Sequence, residues 1–347
     1  MQLSKNISIF FIFILITMLT ACKQGSSAMM GEDNAFRVHN VNNITKIFIA
    51  DKEGASVTLN RNGNKWTVND KYDVRKSAIE VLLNTLKDVR VRYSVDTAAL
   101  KNMQHYLATD GIKVEIYENG YLSKTFYVGD NTPKQDGTIL YMEGYERPYI
   151  THIANWDGVL RPRFMTGLDD WRDRSLVAYP QGTVAEVSVE YAGNKDQSFK
   201  LTASGSKYEV KPFFQSTATT ATPLMAANAK TFLTGLEHIM AEDFDNTNEN
   251  KDSIVRSAPF CTVSIKNTSN ITQTLAFYPM LGRMTDDDGS GNIGRAAVDH
   301  YFVYVDKKEV MVAQHAHVKV LFWGYKFFFE PLNKQNADPK GNIKRKY

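Results

Sequence analysis

The chain has 347 residues, 43% of them hydrophobic and 12% aromatic, with a formal net charge of +3. That length and apolar content can bury a sizeable core, or two. A balance so near neutral speaks against a nucleic-acid partner and against a strong electrostatic pull to a membrane surface.

The first element is an apolar run from Ile7 to Ala21, preceded by Lys5 and ending Leu19-Thr20-Ala21-Cys22. A short positive start, an apolar middle and a small residue before Cys read as a bacterial lipoprotein signal peptide, and the run is shorter than the ~20 residues that span a bilayer. A retained transmembrane anchor and a secreted chain cut elsewhere are the alternatives; the second leaves Cys22 as an unexplained thiol. On the lipoprotein reading residues 1–21 are removed and Cys22 carries diacylglycerol on its sulfur and an acyl chain on its amine. Each buried methylene then contributes ~0.8 kcal/mol, and two or more chains hold the protein stably. Cys261 is the only other cysteine, so no intramolecular disulfide forms. In the alternating run Cys261-Thr262-Val263-Ser264-Ile265 it reads as a small buried hydrophobe. Residues 22–36 are short, small and polar, a flexible leash, and the lack of an acidic run after Cys22 favours a location facing the periplasm.

From Ile44 the pattern is strand-like: Lys46–Ile49, Ser56–Asn60 and Lys65–Val68, with Asn62-Gly63 as a hairpin turn. Val74, Ala78, Leu82, Leu86 and Val89 recur at helical spacing, with Asp73 as the expected cap. A second, shorter helix runs from Asp96 to a stop at Gly111. Strands return at Ile112–Tyr117, Leu122–Val128, Thr138–Met142 and Pro148–His152. The second half repeats the order. Val184–Tyr191, Ser198–Thr202 and Tyr208–Lys211 read as strands. A helix opens at Thr222-Pro223 and carries Phe232, Leu233, Leu236, Ile239 and Met240 on one face. Cys261–Lys266, Gln273–Phe277, Tyr301–Val305 and Val310–Ala313 are again strands. The fold expected is α+β: two similar halves, each a mainly antiparallel sheet with one or two helices packed on it, produced by internal duplication. The halves span 37–178 and 179–332, and 333–347 is a basic, solvated tail.

Between the halves lie Arg161, Arg163, Trp171, Arg172, Asp173 and Arg174. Aromatics, arginines and carboxylates at a domain joint read first as a structural ion-pair network. The functional alternative is an arginine fork recognising a carboxylate or phosphate on a ligand.

Tyr72-Asp73-Val74-Arg75-Lys76, Val128-Gly129, Gly137-Thr138, Arg147-Pro148-Tyr149 and Trp171-Arg172-Asp173-Arg174 together resemble the bacterial domain-of-unknown-function 4340 family over roughly residues 55–180. The resemblance implies a lipoprotein or membrane-tethered protein. Some relatives are encoded near ABC-type transporters of the gliding-motility sort, and no catalytic residue of the family is available to carry over.

Known chemistry is sparse. Ser204-Gly205-Ser206-Lys207 has the Ser-x-x-Lys spacing of penicillin-recognising enzymes, but between two strands rather than opening a helix. Asp286–Asn292 has oxygen residues at calcium-loop positions 1, 3 and 5, yet position twelve is Ala297 rather than Glu. Gly289-x-Gly291-x-x-Gly294 lacks the strand and helix of a dinucleotide site. His315-Ala316-His317 would set two imidazoles on one face of a strand, with no third zinc ligand identifiable beyond Asp299 or His300. The expectation is a non-enzyme without metal or cofactor. It would be a lipid-anchored accessory or scaffold protein of a cell-envelope complex, held to the membrane through Cys22. The alternative is a lipoprotein holding a small molecule or glycan in a cleft between the halves, near Arg161, Arg163 and Arg174.

Overall fold

A computed structural model describes residues 34–281 and 298–331. The chain is α+β and divides into two units, one ending at Asp173 and the other beginning at Arg174.

The first unit contains β1 (Ile44–Ala50), β2 (Ser56–Asn62), β3 (Lys65–Val68), β4 (Tyr72–Asp73), α1 (Lys76–Asp88), β5 (Val89–Ser94), α2 (Leu100–Asp110), β6 (Ile112–Glu118), β7 (Tyr121–Asn131), β8 (Thr138–Met142), β9 (Tyr149–Ile153) and α3 (Leu168–Trp171). Nine strands form one antiparallel sheet in the order β4-β3-β2-β1-β6-β7-β8-β9-β5. Alternation decides its faces. Ile47, Ile49, Val114, Ile116, Phe126, Val128 and Leu140 point into a core shared with Leu82 and Leu86 of α1. Helix α2 lies on the other face, where Val95, Ile139 and Ile150 form a smaller cluster with Met103. Asn119 and Gly120 both take positive φ, 52° and 88°. A two-residue turn of this kind matches the twist of β6 and β7.

The second unit contains β10 (Ser175–Val177), β11 (Val184–Tyr191), β12 (Phe199–Ser204), β13 (Lys207–Pro212), α4 (Ala226–Thr234), β14 (Ile239–Met240), β15 (Asp243–Phe244), α5 (Lys251–Arg256), β16 (Cys261–Asn267), β17 (Thr272–Leu281), β18 (Val298–Val305), β19 (Glu309–Gln314) and α6 (His315–Val318). Its sheet runs β13-β12-β11-β16-β17-β18-β19-β15, and β10 pairs separately with β14. Phe199, Phe232 and Phe328 are fully buried at its centre, with ring centroids 4.8–5.6 Å apart.

The two units share more than strand order. The register slips between Ile44 and Lys46 where β1 meets β6, and at the matching place, between Val184 and Glu186, where β11 meets β16. In each unit the chain arriving at the first long strand is tied across the end of the main helix. The Val38 N–H donates to the Leu86 carbonyl at 2.8 Å, and the Tyr179 N–H donates to the Leu236 carbonyl at 3.0 Å. A bulge and a strap kept at the same topological positions are the mark of one unit used twice.

Several expectations need correction. Asp73 is not a helix cap; it ends β4, and α1 begins at Lys76 behind Arg75. The second-half helix begins at Ala226, not at Pro223, and Ile239-Met240 leave it to pair with Ser175–Val177. Gly235 follows the helix directly, where a Cβ would sit 2.3 Å from Val320 Cγ2. His315–His317 lie in a helical turn rather than a strand. Residues two apart then point to different sides, so the proposed pair of imidazoles on one face does not form.

Candidate functional site

The stretches the sequence singles out come together in the first unit, around its sheet edge. Val74 and Arg172 form an antiparallel bridge. The Arg75 N–H donates to the Trp171 carbonyl and the Asp173 N–H to the Asp73 carbonyl, both at 2.8 Å. Trp171 is fully buried and its indole N–H donates to the Met165 carbonyl at 2.9 Å. The Arg172 guanidinium stacks 3.9 Å from the centre of the Tyr72 ring and bonds Asp169 at 2.9 Å, while Arg75 donates to the Asp170 carbonyl at 2.9 Å. A planar cation held between a ring and a carboxylate is a strong packing element. Here it seals the last residues of the unit onto β4, the outermost strand.

Arg161 donates to the carbonyls of Val128, Gly129 and Asp110 at 3.0–3.1 Å, joining the end of α2 to β7. Arg163 donates to the Thr85 hydroxyl at 2.8 Å and lies 4.1 Å from the Trp156 ring centre. Burial draws its guanidinium below its ordinary value. Arg174 belongs to the second unit, where it bonds the Glu242 carbonyl and, at 3.1 Å, Asp243. The residues expected to act as one fork therefore have partners inside their own units.

The face of the first sheet turned away from α1 has a different character. Phe48 and Lys46 on β1, Lys113, Glu115 and Tyr117 on β6, Tyr127 on β7 and Tyr141 on β8 all alternate with core residues and are partly exposed. Ala50, Lys113, Tyr127 and Tyr141 stand in one cross-strand row. The Tyr127 and Tyr141 rings stack with centroids 6.2 Å apart. Lys52 sits 5.6 Å above Tyr127, and Lys46 3.6 Å above Tyr117. Glu115 accepts from Lys113 at 2.6 Å and from Tyr117 at 2.8 Å. Burial works to raise the Glu115 carboxyl, but the two donors and the cations outweigh it and the net shift is downward. The same bond to Glu115 raises Lys113 and Tyr117. Such a face offers flat rings for stacking and a fixed set of polar atoms beside them. Sequence reasoning missed it because aromatic residues at alternate positions look the same as strand propensity. The usable signal was that β6 and β7 carry large side chains on both faces.

Ser204 and Lys207 sit at the two ends of the β12–β13 hairpin, paired across its turn. Cys261 is fully buried, which pushes its thiol well up. The His315 ring stacks on Tyr301 with centroids 5.9 Å apart, and its Nδ1 lies 3.3 Å from the Tyr301 hydroxyl. His300 Nε2 meets Glu242 at 3.1 Å. Among the described residues no group of three or more His, Cys, Asp or Glu could hold a metal ion. No described helix is long and apolar enough to cross a membrane. The expected signal peptide with Cys22, residues 22–33 of the expected leash, the 286–292 acidic stretch and the expected 333–347 tail lie outside the described residues.

Comparison with curated proteins gives no match. A family model described as "Domain of unknown function (DUF4340)" matches residues 66–257. The match covers just over half of the chain and runs past the end of the resemblance expected from the motifs, into the second unit as far as its short helix α5.

Proposed function

The chain belongs to the DUF4340 family, and from that premise we propose that it is a non-catalytic accessory protein of a cell-envelope complex. It is anchored by lipid on Cys22, faces the periplasm and works through contacts with an envelope protein, of the ABC-transporter or gliding type. One observation carries the reading. The Trp-Arg-Asp-Arg stretch, the most specific of the motifs, fastens the first unit to itself through Tyr72, Asp73 and Arg75, which supports a body built to present surfaces. The lipid-box sequence ending in Cys22 supports the compartment, and two acyl chains suffice to hold a soluble body at a bilayer. The test is affinity isolation of the full chain from native membranes in a lipid-preserving detergent, with intact-mass analysis of the product. A recurrent envelope partner in stoichiometric amount and an acylated mass, both lost in Cys22→Ser, are the expected results. Repeated recovery of the protein alone, or an unacylated mass, overturns the reading.

A second reading, a ligand-holding lipoprotein, is favoured by the ring-lined face at Tyr117, Tyr127 and Tyr141 with Lys113 and Glu115 beside it. Stacked rings flanked by polar atoms suit a glycan. Titration with soluble amino-sugar oligosaccharides tests this: binding that Tyr127→Ala and Tyr141→Ala each weaken supports it, and no binding to the full chain removes it.

A further inference from the structure

Two features of the first unit lie at one end of its sheet. The β6–β7 hairpin tip carries Tyr121, 80% exposed, and Leu122, 55% exposed. They are the only adjacent pair among the exposed large apolar side chains of the described residues. Beside this tip the chain from the N-terminus enters the fold. Lys124, two residues along β7 from Leu122, is half-buried and donates to the Ala35 carbonyl at 2.8 Å. Phe36, 1% exposed, then wedges against Phe126 with ring centroids 5.8 Å apart, and against Tyr149 at 6.2 Å. The entry point is thus fixed to β7 by a hydrogen bond and a buried ring.

The consequence is geometric. Residue 34 is twelve residues from Cys22, and a chain of that length spans at most about 40 Å. A body hung from that corner keeps that corner nearest the lipid.

We propose that the Tyr121-Leu122 hairpin tip of the first unit is a second, non-covalent contact with the bilayer, seated at the headgroup interface beside the lipid on Cys22. This rests on the lipid-anchored reading above. Tyrosine suits that depth because its ring is apolar and its hydroxyl stays wet, and leucine adds apolar area. Arg61 and the exposed Lys65 belong to the β2–β3 hairpin, which turns at the same end of the sheet: Lys46 on β1 faces both Asn60 on β2 and Tyr117 on β6. Cations there sit well near anionic headgroups. The tip therefore fixes the orientation of the first unit, while the acyl chains supply the attachment.

The test uses the acylated full chain in vesicles of phosphatidylethanolamine and phosphatidylglycerol. Tyr121→Cys, Leu122→Cys and Lys134→Cys are each labelled with an environment-sensitive fluorophore. Lys134 is exposed in the β7–β8 turn, at the opposite end of β7, and the buried Cys261 stays unlabelled. The expected result is a blue-shifted emission at 121 and 122, quenched by nitroxide lipid, with water-like, unquenched emission at 134. Acylated protein whose probes at 121 and 122 match that at 134 overturns the inference and leaves the anchored reading intact. Protein found unacylated by intact mass overturns both together.

Discussion

The outward faces of the two sheets stand on the same strand order and differ in nearly every residue. In the first unit the row Ala50, Lys113, Tyr127, Tyr141 crosses four strands. The matching row in the second is Glu190, Thr262, Ala276, Tyr304. Where β6 carries Glu115 and Tyr117, β16 carries Ser264 and Lys266. The inward faces are apolar in both. The apolar pattern recurs on the inward faces while the outward faces differ, so the aromatic face of the first unit is not a demand of the fold. One position on the face that carries α2 shows the same split. Gly129 in β7 lets α2 come close, since a Cβ there would lie 3.0 Å from Leu107 and 3.3 Å from Ile139. Its counterpart in β17 is Tyr278, whose hydroxyl reaches the Val255 carbonyl of the short helix α5 at 3.2 Å. A long helix sits directly on glycine; a short one is met by a tyrosine.

The comparison can be broken most sharply at Trp171. Trp171→Ala removes a fully buried indole and its bond to Met165 and should cost the first unit on the order of 3–5 kcal/mol in denaturant unfolding. A loss well under 1 kcal/mol would show that the clasp is not holding the unit. Next comes Gly129→Ala, expected to destabilise by about 1–3 kcal/mol because Leu107 and the Ile139 side chain must shift. A silent substitution would mean α2 is not seated as described. Tyr278→Phe, at the matching position, should lose only about 0.5–1.5 kcal/mol, the worth of one hydrogen bond.

The smallest effect concerns pH. His152 pairs with Arg90 across β5 and β9, and its imidazole is lowered from the ordinary value by burial first and the Arg92 charge second. A depressed histidine favours the neutral folded form, so its contribution is complete above the unfolded pKa of about 6.5. It is lost as pH falls through the folded value. His152→Gln should therefore flatten the stability of the first unit below that pH, read by thermal unfolding at stepped pH; an unchanged slope would count against the assignment.

Much of this architecture was readable before any coordinates. Long alternating runs such as Ile112–Tyr117 and Cys261–Lys266 specify strands through burial of one face, and the stripe Ala78, Leu82, Leu86 specifies α1. Short elements were not readable. Strands β4, β14 and β15 have two residues each, too few to display a period. Strand β5 follows α1 without a break, so in the sequence Val89 reads as the helix's last apolar position. The Trp171–Arg174 stretch stood out in the sequence, but its partners did not. Tyr72–Arg75 lie about a hundred residues away, and only the folded sheet edge brings them to it. The aromatic face stayed hidden for the same reason: the row through Lys113, Tyr127 and Tyr141 exists only across strands.

The bridge between Val74 and Arg172 also has a meaning for biogenesis. A polypeptide emerging from its N-terminus forms β4 some hundred residues before the segment that covers it has appeared. Until Asp173 arrives, the outer rim of the first sheet stays bare and able to pair with a neighbouring chain. Shielding during synthesis is thus most needed in that interval, and a version cut short before Trp171 would be prone to clump even though every strand of its sheet is present.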